Sequence, residues 1–570
     1  MEHIHEEKQN YNPTRRGSDV WLVRMIAILT GLMGLVNLVS ATSPALADRL
    51  ALLKQVLPLE VRHGSHLAAA LAGFALLLLA EALFRRKQVA WLLSTIILAV
   101  SAVSHLLKGL DYEEASLAAG LMVILLVNRH HFHAYSDLPS VKRGLLILLA
   151  AVGFTLVYGT TGFYVLDRHF KVIYDFAPAL RQTFVMFTQF YDPGLEPLTG
   201  FGRFFGDSIY MVAAGTVFFS LVMLIRPVLV RQPATAFERA RALEVVKAFG
   251  HTSLARMTLF ADKHYFFSQG GSMVAYVPKG RVALALGDPV GPSQDRPAAL
   301  DEFTRFCARN DWFPVFYQAL PDDIGLYQAR GMESLLIGQE AVVDLSAFTL
   351  EGKAGKDFRT ALNKMDRLGF TAEVHPAPIT DALLHELRAI SDEWLMNMHG
   401  REIHFATGWF DDDYIRSTPV ITVKGPDGVI SAFANIISEY QSREMAVDLM
   451  RRRQQVEHGS MDFLFIKMLQ WAKEQGAESF SLGLSALSGL DQAAENLATE
   501  RALNYIYENV NRFYNFKGLH AFKQKFSPQW QARYLVYPGL ASLPAIRTAL
   551  MRANTGDDFL TAWLSPHFHR

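Results

Sequence analysis

Long apolar runs alternate with short polar segments over the first 230 residues of the chain. Most of these runs contain about 20 residues, and a helix of that length crosses a hydrocarbon layer of about 30 Å. Because a helix satisfies its own backbone hydrogen bonds in lipid, the pattern predicts an all-α transmembrane bundle of about six spans in residues 1–235. The six runs lie at about 20–42, 65–84, 88–107, 113–128, 144–166 and 208–230.

Basic residues between the runs predict the orientation of this bundle. Tight groups of Lys and Arg precede the first run and follow the second, fourth and sixth, whereas the basic residues of the other loops are scattered among acids. Because positively charged loops stay in the cytosol, both termini and everything after about residue 235 are expected on the cytosolic side of a bacterial inner membrane. A further segment, 178–191, carries aromatic residues that suit the headgroup zone.

From about residue 236 the pattern changes to short β-type runs that alternate with amphipathic helical stretches. Two mixed α/β units of about 150 residues fit this length better than one, so we predict domains at 236–390 and 391–570. Strands are predicted at 264–268, 272–277, 281–286, 315–318, 340–346, 419–424, 429–438, 444–450, 479–482 and 531–537, and helices at 237–250, 300–309, 357–368, 381–398, 460–475 and 498–513.

One strand–loop–helix segment of the second unit is typical of N-acetyltransferase-like folds. The strand at 444–450 leads into Arg451–Arg453 and then into a helix that begins near Gly459. Free N–H groups at a helix start attract phosphate or another anion, and nearby arginines strengthen that attraction. The loop 455–460 lacks the first glycine that acyl-CoA users carry, which argues against CoA as a donor.

Composition and charge narrow the chemistry. Hydrophobic residues make up 51% of the chain and charged residues 19%, which fits a mixture of membrane and soluble parts. The formal net charge is zero, so any attraction to nucleic acid or anionic lipid must come from local patches. The histidines lack metal-ligand spacing, and the sequence contains no Walker loop, nucleophile elbow or convincing dinucleotide fingerprint. We therefore expect neither a metal nor a cofactor.

Six short segments in a fixed order carry a family resemblance. The segments are 287–291 (GDPVG), 312–318 (WFPVFYQ), 358–364 (FRTALNK), 447–451 (VDLMR), 459–465 (GSMDFLF) and 514–526 (YNFKGLHAFKQKF), and Tyr534–Leu535 closes the pattern. Together they resemble the synthase half of the multiple peptide resistance factor family, the aminoacyl-phosphatidylglycerol synthases, over nearly all of 240–540.

The resemblance implies two acetyltransferase-like domains in tandem that bring together an aminoacyl-tRNA and phosphatidylglycerol from the inner leaflet. It implies transfer of the aminoacyl group to the lipid glycerol, which alters membrane charge and resistance to cationic peptides. With about six spans, the chain is expected to be a short form without the family's flippase module. Residues 481–490 read SLGLSALSGL where the family usually has NLGMAPLSGL, so the transferred amino acid stays open, as does the oligomeric state.

Three residues are predicted to carry the reaction. Asp448, at the end of an apolar strand, is the first candidate for a half-desolvated carboxylate that handles the hydroxyl proton or orients the acceptor. Arg451 suits the lipid phosphate, because a guanidinium can hold two phosphate oxygens. Glu439 is a second carboxylate candidate, for which a structural role is the favoured alternative. For Asp448 the alternative is a structural pair with Arg451, and for Arg451 it is a solvated surface arginine within Arg451–Arg453.

Cations and polar residues elsewhere are predicted to bind the substrates. Aromatic rings between cations can stack a tRNA base while the cations hold phosphates. The basic face of the helix near 353–367 is predicted to contact tRNA or lipid headgroups, with a plain solvated face as its alternative. The predicted substrate-binding residues are Tyr514, Asn515, Lys517, Lys523, Lys525 and Ser488, and the predicted tRNA or headgroup contacts are Lys356, Arg359 and Lys364.

Two other functions compete with aminoacyl transfer at this stage. A CoA-dependent acyltransferase that acts on a membrane substrate fits the fold, but the missing glycine in 455–460 disfavours it. A non-catalytic lipid transporter fits the membrane half, but the spans carry no paired intramembrane charges that would mark a transport path.

Overall fold

The structure, a computed structural model, describes residues 13–42, 59–109, 111–134, 175–189, 233–353, 355–397, 402–438, 440–441, 443–489 and 516–555, with scattered positions in 146–164 and residue 218. The chain divides into two compact units. The first comprises Met1–Leu229 with Ala308–Asp311, and the second comprises Val230–Cys307 with Trp312–Arg570.

The described part of the first unit is helical. Two of its helices contain 20-residue segments that are long and apolar enough to cross a membrane, Trp21–Ser40 and Gln88–Leu107, and a shorter apolar segment covers Ala72–Phe84. The fourth predicted span is a helix of 16 residues, and the runs at 144–166 and 208–230 fall largely outside the described residues. The helices are α1 Pro13–Thr42, α2 Leu59–Phe84, α3 Gln88–Gly109, α4 Tyr112–Val127 and α5 Phe176–Gln189.

Small and polar residues hold the first three helices together. A Cβ on Gly34 of α1 would lie 2.7 Å from the carbonyl oxygen of Gly73 on α2, so only glycine permits this close approach. Asn37 Oδ1 on α1 accepts a hydrogen bond from Ser101 Oγ on α3 at 3.0 Å and lies 2.9 Å from His105 Nε2. A buried polar link therefore joins α1 to α3.

The second unit is an α/β structure, as its sequence pattern predicts. Each predicted strand overlaps an observed one, but the strand predicted at 340–346 begins at Glu333, and the helix predicted at 498–513 lies outside the described residues. Its helices are α6 Ala236–Phe249, α7 Ser253–Met257, α8 Arg296–Arg309, α9 Ile324–Gln328, α10 Lys356–Arg367, α11 Asp381–Asn397, α12 Asp412–Arg416, α13 Ser460–Glu474, α14 Phe516–Gln524 and α15 Leu543–Thr555. Its strands are β1 His264–Phe267, β2 Met273–Lys279, β3 Val282–Leu286, β4 Phe313–Ala319, β5 Glu333–Asp344, β6 Thr371–His375, β7 Val420–Lys424, β8 Ile430–Ser438, β9 Glu444–Arg452, β10 Ser479–Ala486 and β11 Gln529–Tyr537.

These strands form one continuous sheet in the order β1-β2-β3-β4-β11-β5-β10-β9-β8-β7-β6. The pairs β3–β4 and β9–β10 are parallel and the other neighbours are antiparallel. Strand β11 lies between β4 and β5, and β5 lies between β11 and β10. Strand β11 of the second half therefore lies between two strands of the first half, and β5 of the first half lies between two strands of the second. The predicted boundary at 390/391 falls within helix α11 and stays a prediction.

Helices cover both faces of the sheet at β7 to β9. On one face, Leu387 and Ile390 of α11 pack against Phe433 and Leu449. On the other, the apolar side of α13 packs against alternate residues of the same strands, among them Val447. Because both faces are buried, the polar side chains that remain on β9 stand out as candidates for function.

Candidate active site

The parallel strands β9 and β10 part after a short ladder. Ser479–Ser481 pairs with Glu444–Ala446, and past that point β10 continues along β5, with Leu484 opposite Glu340. Such a splayed parallel pair opens a cleft between strands that are otherwise held in one sheet. The second half of β9 forms one wall of this cleft, and the second half of β10 forms the other.

A β-bulge in β9 places Asp448 and Arg451 on the same face. The β8–β9 ladder shifts register at Asn435, which faces two residues of β9. Residues three apart on a regular strand point to opposite faces, but the extra residue of the bulge brings these two side chains to one side. Both contact the segment 402–414. The N–H of Leu449 within the bulge donates to the side-chain oxygen of buried Asn435 at 2.8 Å.

The Asp448 carboxylate is held by two donors. The N–H of Gly408 donates to Oδ1 at 2.9 Å, and the Tyr414 hydroxyl donates to Oδ2 at 2.5 Å. Burial raises the pKa of the Asp448 carboxyl, while the hydrogen bonds from Tyr414 and Gly408 and the charge of Arg451 oppose that rise. A carboxylate has about four acceptor sites, so Asp448 retains capacity for a further hydroxyl. An ionised carboxylate with a raised pKa and unused acceptor capacity is suited to accept a proton.

Gly408 permits this arrangement because it has no side chain. A Cβ at this position would lie 1.9 Å from Oδ2 of Asp448 and 2.9 Å from the Tyr414 ring. Any larger residue would therefore displace the carboxylate or the segment that carries its donor.

Arg451 is buried, with its side chain 5% exposed. Its Nη2 donates to Oε2 of Glu402 at 2.7 Å, and its guanidinium lies 3.9 Å from the centre of the Trp394 ring. Its Nε and Nη1 are buried and make no hydrogen bond in the described structure. The predicted alternative of a solvated surface arginine is therefore wrong. The residue that pairs with it is Glu402, rather than the predicted Asp448.

The segment that carries Gly408 and Tyr414 is anchored to the first half of the fold. Lys263, fully buried, donates from Nζ to the carbonyl oxygen of Phe405 at 2.9 Å and to Asp262 at 2.6 Å. Burial lowers the pKa of Lys263, and Asp262 opposes that shift. Phe405 has a φ of +73°, a left-handed conformation that is costly for an aromatic residue. The Lys263 bond stabilises the segment in this strained form.

Lys523 lies on the opposite wall of the cleft. It was predicted to bind a substrate phosphate, but its ammonium group contacts the protein backbone instead. Its Nζ donates to the carbonyl oxygens of Gly483 and Leu484 on β10, at 2.9 and 3.0 Å. The side chain is buried, and burial lowers its pKa to about 7 while Glu340 opposes the shift. The structure thus makes Lys523 a support for the splayed end of β10.

A buried ionic network centred on Glu340 lies at the junction of β5, β10 and β11. Its carboxylate accepts hydrogen bonds from Arg533 and Ser481, and from Ser253 at 3.3 Å. Nearby, burial and the charge of Glu340 raise the pKa of Glu444 to about 7. This network fixes the strands at the point where the cleft begins.

The other predicted contacts occupy varied positions. Ser488 lies in the turn after β10, where it accepts from the N–H of Gln339 at 3.0 Å. Lys525 pairs with Asp462 at 2.9 Å, and Lys517 lies in the first turn of α14. Glu439, Tyr514 and Asn515 lie outside the described residues.

The three cations predicted on α10 differ in their exposure and partners. Arg359 donates to the carbonyl oxygens of Leu350 and Gly352. Lys364 pairs with Glu457 at 2.6 Å, and Lys356 is exposed. Two of the three therefore contact the local fold, although the side chain of Lys364 is still 40% exposed in its ion pair.

Sequence reasoning missed the partners of the predicted residues, namely Trp394, Glu402, Gly408, Tyr414 and Lys263. The signal available for them is weak. The segment 402–414 combines glycine, aromatic and acidic residues, but its contacts with β9 cross 34 to 49 positions of sequence. Within the described residues, no group of three or more His, Cys, Asp or Glu is placed to hold a metal ion.

Comparison with known proteins identifies relatives over most of the chain. A family model described as phosphatidylglycerol lysyltransferase, C-terminal, matches residues 243–537. The phosphatidylglycerol lysyltransferase of Bacillus subtilis is 30% identical over 518 residues, which are 90% of this chain and 57% of that protein. That of Staphylococcus xylosus is 32% identical over 309 residues, which are 54% of this chain and 36% of that protein. The chain thus spans between about a third and three fifths of these two relatives.

Solved structures match the second unit. The DUF2156 C-terminal domain from Agrobacterium fabrum is 34% identical, with a TM-score of 0.52, and the match covers 56% of this chain and 98% of that one. L-PGS from Bacillus licheniformis is also 34% identical, with a TM-score of 0.50 and coverage of 54% and 94%. The second unit therefore has the α/β fold of these two structures. The chain belongs to the phosphatidylglycerol lysyltransferase C-terminal family.

Proposed function

We propose that the chain transfers an aminoacyl group from aminoacyl-tRNA to the glycerol headgroup of phosphatidylglycerol. Family membership supports the reaction, and the observation that carries it is the Asp448 carboxylate on the wall of the β9–β10 cleft. The relatives' names describe a lysyltransferase, so they support neither the CoA-dependent alternative nor the transporter. Which amino acid is transferred stays open.

The proposed reaction is an ester exchange. The lipid hydroxyl oxygen attacks the ester carbonyl carbon of the aminoacyl-tRNA, a new ester bond forms, and the bond to the tRNA ribose oxygen breaks. Asp448 accepts the proton of the attacking hydroxyl and returns it to the departing ribose oxygen. The donor ester is already activated, so the exchange consumes no ATP and requires no metal. The rest of the rate acceleration comes from holding the two bound substrates in position.

Arg451 is proposed to bind the lipid phosphate. Its Nε and Nη1 lack hydrogen-bond partners in the described structure, and buried donors without partners are costly, so an anion there would be stabilised. Glu402 holds the other edge of the guanidinium and fixes its plane. Because both free nitrogens are buried, the phosphate must displace a neighbouring group to reach them.

The tRNA is proposed to approach through exposed cations. Lys356 and Lys525 are exposed. Lys517 lies in the first turn of α14, and Lys525 directly follows the end of that helix. Glu439, Tyr514 and Asn515, together with Ser488, remain proposed site residues. Arg359 and Lys364 remain proposed headgroup or tRNA contacts that must exchange their present partners.

The first unit is proposed to be a multi-pass anchor in a bacterial inner membrane. Six spans, cytosolic termini and a cytosolic second unit follow from the apolar runs and the basic loops. The tandem of acetyltransferase-like domains at 236–390 and 391–570 is part of the same proposal. An added amino group reduces the negative charge of the lipid, which weakens the attraction of cationic peptides to the membrane.

Lipid mass spectrometry tests this proposal. The full chain is expressed in a host without aminoacylated lipids, beside the variant Asp448→Asn. We expect a new lipid whose mass equals phosphatidylglycerol plus one amino acid residue, and we expect it to be absent or greatly reduced with the variant. If the full chain is present in the membrane and phosphatidylglycerol acquires no such mass, the proposal fails.

A further inference from the structure

Large apolar side chains are rarely exposed in the described part of the second unit, and three that are share one end of the sheet. Leu368 is 43% exposed, Met396 78% and Val429 44%. They lie directly after α10, at the end of α11 and in the β7–β8 turn. The other two large apolar residues exposed in this part of the structure, Phe237 and Leu540, belong to other elements.

Direct contacts join the three elements into one edge. A Cβ on Gly369, beside Leu368, would lie 3.2 Å from Pro426 Cβ in the β7–β8 turn. That turn continues into Ile430, whose carbonyl oxygen accepts from Arg453 Nε at 2.8 Å. Arg453 also donates to Glu393, one helical turn before Met396, at 2.9 Å. We call Leu368, Met396 and Val429 the apolar edge.

The apolar edge adjoins the candidate active site. Strand β9 runs from the start of the cleft to Arg452 at this end of the sheet. Arg451 stacks on Trp394, which precedes Met396 by two residues on α11 and points to the other side of that helix. The edge and Arg451 are therefore separated by about one helix diameter, roughly 10 Å, which the length of a lipid headgroup with its glycerol can span.

The exposed charges beside the edge nearly cancel. Arg367 and Arg452 are exposed, but so are Asp366 and Asp427. Contact with a surface through this edge must then depend on apolar burial more than on charge. The occupant that fits is the acyl and headgroup boundary of a bilayer, into which apolar side chains insert by about 5–10 Å.

We infer that the apolar edge inserts into the bilayer and sets the Asp448–Arg451 cleft against the leaflet from which the lipid acceptor is taken. This inference rests on the proposed function for the identity of the acceptor. Insertion itself is a property of the surface and is measurable without any transfer reaction.

The single cysteine of the chain makes a direct test practical. Cys307 is fully buried, so an environment-sensitive fluorophore attaches to a cysteine introduced at the surface. Leu368→Cys, Met396→Cys and Val429→Cys are labelled in the full chain, reconstituted in phosphatidylglycerol vesicles that contain nitroxide-labelled lipids. Leu540→Cys is the matched control, because this position is also apolar and exposed but belongs to another element, far in sequence from the proposed spans. We expect blue-shifted emission and lipid quenching at the three edge positions, and neither at the control.

A second measurement links insertion to substrate access. The double variant Leu368→Asp with Val429→Asp should transfer to phosphatidylglycerol in vesicles about ten-fold less well than the unchanged chain, since two apolar contacts are lost. Transfer to phosphatidylglycerol dispersed in detergent micelles should be unchanged. Equal quenching at edge and control positions overturns the inference. An edge label that is shielded from water yet not quenched by lipid also overturns it, because that result would indicate a protein partner. Absence of transfer by the unchanged chain, with edge quenching intact, would count against the proposed function alone.

Discussion

At the scale of single residues, the site depends on one carboxylate and the groups that hold it. Asp448 is placed by a bulge, receives hydrogen bonds from Gly408 and Tyr414, and has a pKa raised by burial. The same environment that favours its neutral form also makes its ionised form a better base, because a higher pKa gives a stronger proton acceptor.

Replacing Asp448 by Asn tests its role as a proton acceptor. The amide keeps the size of the side chain but has no basic oxygen, so aminoacyl transfer should fall about 10²–10⁴-fold with little loss of stability. Initial rates and thermal unfolding of the purified full chain measure the two effects. Asp412→Asn is the matched control, since it removes only a surface partner of Arg388. Comparable rates for the two variants would exclude Asp448 from the reaction.

The pH dependence of transfer tests the origin of the raised pKa. Transfer requires ionised Asp448, so its rate should fall as pH is lowered through the raised pKa of that carboxyl. The Tyr414 hydrogen bond stabilises the ionised form, and Tyr414→Phe should therefore move the acid limb to higher pH. The profile of kcat/KM against pH reports this. A limb that stays in place, or moves to lower pH, would contradict the assignment.

The lowered pKa of Lys523 leads to a prediction about how stability depends on pH. The folded protein has a Lys523 pKa of about 7, whereas the unfolded chain holds the proton up to about 10.4. The unfolded chain binds more protons between these values, so this group's contribution makes the protein more stable as pH rises from about 7 to 10. Lys523→Met should flatten that rise in the unfolding temperature. Above about pH 10, where the cost of deprotonation has vanished, the same variant should be less stable than the unchanged chain, because two carbonyl groups lose their donor.

At the scale of elements, the important feature is a strand that bulges and a segment that fits against it. The β9 bulge turns Asp448 and Arg451 to one side, and Asn435 satisfies the N–H that the bulge leaves free. The segment 402–414 supplies the donors to Asp448, and Lys263 fixes its strained Phe405. Neither element forms the site without the other.

Gly408→Ala tests the fit between these two elements. The added methyl would lie 1.9 Å from Asp448 Oδ2, so the segment or the carboxylate must move and transfer should fall at least about 100-fold, as misplacement by 1 Å does elsewhere. Gly325→Ala in α9 is the matched control, because its Cβ would meet nothing within 4 Å. Transfer rates of the two variants, each with its thermal unfolding curve, distinguish a local shift from global loss of structure. Full activity of Gly408→Ala would show that the close approach is unimportant.

Elements were more predictable from the sequence than their contacts. Short, nearly continuous apolar runs predicted β7, β8 and β9 almost to the residue, because helices cover both faces of these strands. Strand β6 was missed because its Thr-Ala-Glu-Val-His pattern is only partly buried, and α14 was missed because its aromatic and basic residues suggested a binding segment. Asp448 was found from its position on a strand. Its partners were not, since contacts across long stretches of sequence depend on the folded chain.

At the scale of the whole molecule, the sheet shows why the two sequence halves of the second unit, 236–390 and 391–570, are joined in one body. Strands β5 and β11 each lie among strands of the other half, so neither half completes its own sheet. The cleft is supported from both halves, through Lys263 in the first and Lys523 in the second. The order of strands was beyond sequence reasoning because pairing across the halves leaves no local signal.

The most direct measurement of the central claim is transfer by the purified full chain in phosphatidylglycerol vesicles. Aminoacyl-tRNA carrying a labelled amino acid is the donor, and label in the lipid fraction is the readout. The account predicts that label enters phosphatidylglycerol, that ribonuclease treatment of the donor abolishes this, and that Asp448→Asn reduces it about 10²–10⁴-fold. Label that reached the lipid equally well with ribonuclease-treated donor or with the variant would contradict the account, as would an active preparation that uses acyl-CoA instead of tRNA.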